Sequence, residues 1–187
     1  EIKKLIGNST GPINIIANMN AGFIAEDNWV NQENIGGGRI IGEACHLIDL
    51  CIFFTNSFVT NICMNTIENK GLNEGTILVQ FSNDSNAVIN YFTNGSNIYQ
   101  KERVEIYSNK RTFIIDDYKN SYSYTDTSTR LIKNSYDKGH RNQFLKYINA
   151  INNGYGNPIN LEEIINCTKA TFACVQSFRE KKWINIS

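Results

Sequence analysis

Charge of one sign is missing from this sequence: eighteen Lys plus Arg meet eighteen Asp plus Glu, for a formal net charge of zero. Without surplus charge there is no long-range field to hold a polyphosphate or an anionic bilayer, which argues against nucleic-acid and membrane-surface binding. No run of about 18 apolar residues occurs, so a transmembrane helix is excluded. The first residues, Glu1-Ile2-Lys3-Lys4, have neither an initiator methionine nor the apolar stretch of a signal peptide. They read as the start of a mature product or a cut piece. Histidine is scarce, with two residues, and the five cysteines are odd in number and form no C-x-x-C pair. Such cysteines are expected to be reduced core thiols of a cytoplasmic protein, with no metal site. A dinucleotide fingerprint is lacking as well. Gly36-Gly37-Gly38 has neither the G-x-G-x-x-G spacing nor a preceding hydrophobic strand, and reads as a tight loop before a helix.

What remains is a chain of 187 residues, 41% hydrophobic, long enough for one domain with its own core, residues 1–187. After a short amphipathic piece, Ile2 to Ile6, the stretch from Pro12 to Asn20 alternates with period two and has one polar face. An irregular stretch from Ala21 through Phe23 and Trp29 ends at the glycine run. Arg39 to Thr55 then reads as a mostly buried helix. From Phe58 to about Tyr124 short β-type runs alternate with turn chemistry, Asn83-Asp84-Ser85-Asn86, Asn94-Gly95-Ser96-Asn97 and Asn109-Lys110, which predicts antiparallel hairpins. Lys119 to Asp137 reads as a surface excursion with a short strand at Tyr122 to Tyr124. Two helices close the chain, one from about Gly139 to Asn153 with Phe144, Ile148 and Ile151 on its apolar face. The other comes after Pro158, with Asn160 as N-cap and a stripe of Leu161, Ile164, Ile165, Thr168, Phe172, Val175 and Phe178. The order predicts an α+β fold, a mostly antiparallel open sheet with helices packed on one face. Its uncovered face, with Ile77, Val79, Phe81, Val88, Tyr91 and Ile106 as candidate contacts, is expected to self-associate.

On the helix from Arg39, helical spacing places Arg39, Gly42, Glu43, His46 and Asp49 on one stripe. An ionisable stripe on an apolar helix is either a structural network, Arg39 with Glu43 and His46 with Asp49, or the wall of a pocket. In the second case His46 is the general acid or base, because imidazole titrates near neutrality. Glu43 or Asp49 would orient its ring, and Gly42 would let a substrate approach closely.

The segment from Gly36 to Leu50 resembles the glycine-led helix that opens the C-terminal domain of the glucose-fructose oxidoreductase / inositol dehydrogenase / rhizopine catabolism family. Asn20-Ala21-Gly22-Phe23-Ile24, Lys138-Gly139-His140, Pro158-Ile159 and Thr168-Lys169-Ala170-Thr171 are similar to a bacterial subgroup often joined to zinc-type alcohol dehydrogenases. The resemblance implies an NAD- or NADP-dependent oxidoreductase acting on a sugar, nucleotide sugar or cyclitol. Its Rossmann half would hold the cofactor and lie outside this chain, leaving the fragment inactive alone. It implies His46 as the proton carrier with Glu43 as helper, although the family's usual Asp four residues before the histidine is Gly42 here. Arg39, Gly42, Asp49, Phe23 and Trp29 are expected on the substrate side and Gly37 and Gly38 beside the cofactor. A homodimer or larger assembly is expected through the open sheet. The competing expectation is a non-catalytic interaction module whose polar stripe is only structural.

Overall fold

The computed structural model describes residues 1–7, 11–67, 71–134 and 136–186. Nine strands form one sheet: β1 (Asn14–Asn20), β2 (Val59–Asn65), β3 (Gly75–Phe81), β4 (Asn86–Phe92), β5 (Glu102–Ser108), β6 (Arg111–Asp116), β7 (Asn120–Tyr124), β8 (Thr129–Asn134) and β9 (Ile184–Asn185). Their order is β8-β7-β6-β5-β1-β4-β3-β2-β9. Every neighbouring pair is antiparallel except β1 with β4. The helices are α1 (Ile2–Ile6), α2 (Glu33–Gly36), α3 (Cys45–Thr55), α4 (His140–Asn152) and α5 (Leu161–Glu180), with a π-helical turn over Ile40–Ala44. The expected α+β architecture is therefore present.

Turn chemistry explains the meanders. The two-residue turns Asn109-Lys110 and Asp117-Tyr118 have positive φ at both positions, the backbone that matches the twist of paired strands. The strand at Tyr122–Tyr124 is β7. The rest of the expected excursion holds a further strand, β8, whose polar edge sequence carries little alternation.

One face of the sheet is the core. Ile13, Ile15 and Ala17 on and beside β1, Ile77, Val79 and Phe81 on β3, Ala87, Ile89 and Tyr91 on β4, and Val104 and Ile106 on β5 are all buried beneath α3 and α5. This corrects the expected contact residues of the open face. Of the six, Ile77, Val79, Phe81, Tyr91 and Ile106 point into the core, and Val88 alone is turned the other way. Four cysteines, Cys45, Cys51, Cys167 and Cys174, sit where α3 meets α5, and burial pushes the Cys51 and Cys167 thiols up to about 12. Cys63 lies half-buried on the open face.

The last two helices depart from the sequence reading. Asn160 caps α5 as expected, its Oδ1 accepting from Glu162 N at 3.0 Å. The side of α5 that meets the core, however, is Ala170, Thr171, Ala173, Cys174, Val175 and Ser177, whereas Leu161, Ile164, Ile165 and Phe172 face outward. In α4 twelve of thirteen residues are exposed, Phe144, Ile148 and Ile151 among them, and only Ala150 is buried. The small residues allow α5 to approach the sheet closely, and the large ones form an outer apolar surface over the helical layer.

Candidate functional site

The π turn decides how the polar stripe is presented. A π turn holds more residues than an α turn, so it rotates the helix beyond it relative to the residues before it. Gly42, His46 and Asp49 emerge as an exposed row on the outer side of the helical layer. Arg39 is only 2% exposed and Glu43 is half-buried, both turned toward the end of the sheet. The five residues expected on one stripe therefore form two groups.

The inner group is a connected network. Arg39 donates from Nη1 to Gly22 O at 2.7 Å and from Nη2 to Ala21 O at 3.2 Å, and its Nε lies 3.5 Å from Glu43 Oε1. Its guanidinium carbon is 5.3 Å from the centre of the Tyr91 ring, and its backbone N–H donates to Asn73 Oδ1. The Tyr91 hydroxyl donates to Glu43 Oε2 at 2.6 Å. Burial, and then that bond to the carboxylate, raise the Tyr91 phenol far above its usual value. Glu43 is thus occupied by Tyr91 and Arg39, and it supports the backbone at Ala21-Gly22 through them. Tyr91, Asn73, Glu74 and Thr93 are participants that the sequence reading missed. Tyr91 could have been found, because a tyrosine in the inward register of Ala87 and Ile89 needs a partner for its hydroxyl.

Arg39 also forms part of the wall of a cavity of about 280 Å³, shared with Phe23, Ile24, Asn31, Asn73 and Thr93. Behind it, Glu74 is buried and accepts from Thr93 Oγ1 at 2.6 Å. Its other oxygen is buried without a partner among the described residues. Phe23, 73% exposed, reaches this cavity; Trp29, 62% exposed on a 3₁₀ turn, is not among its lining residues.

The outer group is His46 with Asp49, one turn apart. Burial raises the Asp49 carboxyl and the neighbouring His46 pulls it back down, so Asp49 is the carboxylate that interacts electrostatically with the histidine. Gly42, one turn before His46, has nothing within 4 Å of where a Cβ would stand. His140 begins α4 and is exposed.

Gly37 and Gly38 have backbone duties. Gly37 ends α2 in the left-handed conformation with φ 75°, and Gly38, with φ 82°, lies so close to Leu72 that a Cβ would meet Leu72 Cβ at 2.8 Å. No described segment forms the strand–glycine loop–helix cradle that a pyrophosphate needs, and the single parallel strand pair, β1 with β4, has no such loop between its members. No described helix is long and apolar enough to cross a membrane.

Comparison with known proteins gives the family. The chain is similar in structure to an oxidoreductase domain protein from Kribbella flavida (TM-score 0.84, 16% identity, 99% of this chain and 61% of that one). It is also similar to an aldose-aldose oxidoreductase from Caulobacter crescentus complexed with glycerol (0.80, 13%, 100% and 59%). A third is an NAD binding oxidoreductase from Klebsiella pneumoniae (0.77, 13%, 100% and 62%). At these identities the likeness shows the fold, and the chain spans about three-fifths of the length of these relatives. No curated protein matches it. The profile described as "Oxidoreductase family, C-terminal alpha/beta domain" matches residues 4–186, and the chain accordingly belongs to that oxidoreductase family.

Proposed function

We propose that this chain is the substrate-binding and self-associating half of an NAD(P)-dependent oxidoreductase acting on a hydroxyl of a sugar, nucleotide sugar or cyclitol, with His46 as the group that takes the hydroxyl proton. The observation that carries the reading is the exposed row Gly42, His46, Asp49, continued by Phe53, on a helix whose other residues are buried or half-buried, in a chain of the oxidoreductase family. A histidine near neutrality can accept a proton from a bound alcohol and return it in the reverse direction, and Asp49 holds charge beside it. Asp49 takes the helper's role in place of Glu43, because Glu43 is held by Tyr91 and Arg39. Glu43, Arg39 and Tyr91 act as positioning residues that fix the Ala21-Gly22 backbone and the cavity beside it.

Among the relatives, one is described as NAD binding, another as NADPH-dependent, and a third carries glycerol, a small polyol. The dinucleotide would be held outside these residues. The outward apolar residues of α4 and α5 offer a surface for the portion of the protein that would hold it. The free cysteines support a reducing, cytoplasmic setting. The open face of the sheet is the surface for a second copy.

The test is His46→Asn in the full-length protein. Turnover is expected to fall roughly a hundredfold to ten-thousandfold, the range for a lost general acid or base, with folding and cofactor binding unchanged. The rival reading, a non-catalytic module, draws on the Arg39–Glu43–Tyr91 network, whose members are held by partners within the chain. It requires that turnover per folded molecule be unaffected, and a normal rate for His46→Asn would establish it.

A further inference from the structure

The cavity that Arg39 shares with Phe23, Asn31, Asn73 and Thr93 asks a ligand for hydrogen-bond donors. Thr93 donates its hydroxyl proton to the buried Glu74 at 2.6 Å, and its backbone N–H donates to the same oxygen at 3.4 Å. With its proton fixed there, the Thr93 hydroxyl oxygen can only accept from whatever enters. Asn31 is held in the same way. Both hydrogens of its amide nitrogen go to backbone carbonyls, to Ala25 O at 2.8 Å and to Ile24 O at 3.2 Å, which leaves Oδ1 as an acceptor. Donation from the wall comes from Arg39, whose bonds to the Gly22 and Ala21 carbonyls leave one hydrogen on each terminal nitrogen.

The charges around the cavity run the same way. Glu26 stands exposed at the rim, Glu43 lies beside Arg39 and Glu74 behind Thr93, so three carboxylates meet one guanidinium. Glu43, with its Oε1 at 3.5 Å from Arg39 Nε, already answers the guanidinium charge. Glu74 is 1% exposed, and its Oε1 has no partner among the described residues. Across a wall of low dielectric, such a carboxylate repels an anion and favours a donor or a cation. At about 280 Å³ the cavity is at the small end of ligand pockets, with room for one portion of a substrate. His46 is not among its lining residues, so that portion is not the reacting carbon. Phe23 adds an apolar ring for the C–H side of such a group.

We propose that this cavity is a subsite for a donor-rich, uncharged or amine-bearing portion of the substrate, and that Glu74, acting through Thr93, is the residue that turns acidic analogues away. The inference rests on the reading of this chain as a substrate-binding half and narrows it, because a substrate with a carboxylate or phosphate at this position is excluded. A pair of adjacent hydroxyls meets every group in the wall: their protons go to Thr93 Oγ1 and Asn31 Oδ1, and their oxygens accept from Arg39. An ammonium in place of one hydroxyl donates equally well and gains from the surplus of carboxylates. A carboxylate brings acceptors only, so it leaves Thr93 and Asn31 unmatched and sets its charge beside Glu74.

Glycerol, aminopropanediol and glycerate test this on the full-length protein. They are of like size, differ at one end and, being flexible, commit to no ring configuration. With nitrogen-15-labelled threonine and arginine, the Thr93 amide and Arg39 Nε–H signals are followed while each probe is titrated. Glycerol and aminopropanediol should shift both signals saturably, the amine with equal or higher affinity, and glycerate should bind at least about tenfold more weakly than glycerol. Glu74→Gln should bring that ratio to within about threefold. Thr93→Val should weaken glycerol about tenfold, and Thr93→Ser, which keeps the hydroxyl, should restore it. Circular dichroism checks that the variants fold, and the comparison of the three probes on the native protein needs none of them. Glycerate binding as tightly as glycerol, signals that glycerol leaves unmoved, or a ratio unchanged in folded Glu74→Gln overturns the proposal. The proposed reaction is judged separately. If His46→Asn loses turnover while glycerol leaves the cavity signals unmoved, the reaction stands without this subsite. If His46→Asn turns over normally while the native ratio holds, the cavity is a donor-selecting binding site and the role of His46 falls.

Discussion

The Tyr91 hydroxyl donates to Glu43 Oε2 at 2.6 Å, tying the inward face of strand β4 to the π turn that precedes α3. Removing the donor leaves a half-buried carboxylate oxygen without its partner. Tyr91→Phe is expected to lower stability by about 1–3 kcal/mol, read from the urea midpoint. The phenol's raised pKa fixes the pH dependence. An acid that keeps its proton longer in the folded state gives full stability below its unfolded value of about 10, and loses it as pH rises past that value. The native chain should therefore show an alkaline loss that is smaller in Tyr91→Phe.

Asp49 gives the opposite kind of test. Its carboxyl is raised, mainly by burial, with His46 opposing. A raised carboxyl favours the folded state most at low pH and costs stability as pH rises through its folded value, above the ordinary ~3.9. Asp49→Asn should thus melt at a higher temperature than the native chain at pH 7, with the difference shrinking toward pH 3. Turnover of the full-length variant should fall and its pH profile shift. A higher Tm with an unchanged profile would remove Asp49 from the site.

How much of this was legible in the residues varies with the element. The hairpins were, because paired turn residues such as Asn109-Lys110 leave few other backbones available. The apolar period of the helix from Arg39 was legible too, but not the π turn, because hydrophobic spacing hardly changes when one turn widens. That turn divided Arg39 and Glu43 from His46 and Asp49. Of the expected stripe on α5, Val175 and Phe178 meet the core and Leu161, Ile164, Ile165 and Phe172 do not, because an apolar stripe says that something must cover it, not that the chain's own sheet does. Small residues such as Ala170, Ala173 and Cys174 were the face that met the core.

Arg39 offers a test of geometry against charge. Its planar fork serves two carbonyls while stacking near Tyr91, a set of contacts that an ammonium cannot reproduce. Arg39→Lys should therefore destabilise nearly as much as Arg39→Met, by about 3–5 kcal/mol, because neither side chain can serve the Gly22 and Ala21 carbonyls together while keeping a charge beside Glu43. Chemical denaturation of both variants checks it. A lysine variant of native stability would show that charge alone suffices.

Two glycines separate backbone need from access. Gly38→Ala places a Cβ against Leu72 in a left-handed backbone and should cost well over 1 kcal/mol. Gly42→Ala meets nothing and should leave stability unchanged or raise it by up to ~1 kcal/mol, through helix propensity. If Gly42 makes room for substrate, that same variant raises KM in the full-length enzyme. An unchanged KM would sink that role.

The place of β1 in the sheet carries a kinetic consequence. Strands β2 to β4 and β5 to β8 each form a run of sequential neighbours that can zip locally, whereas Asn14 on β1 meets Asn86, 72 residues further along the chain. Strand β1 is thus the keystone between the two meanders of this sheet, and the entropy of closing that long loop falls on one step. Substitutions along β1 will act on the speed of folding, and those in the outer meander on the speed of coming apart.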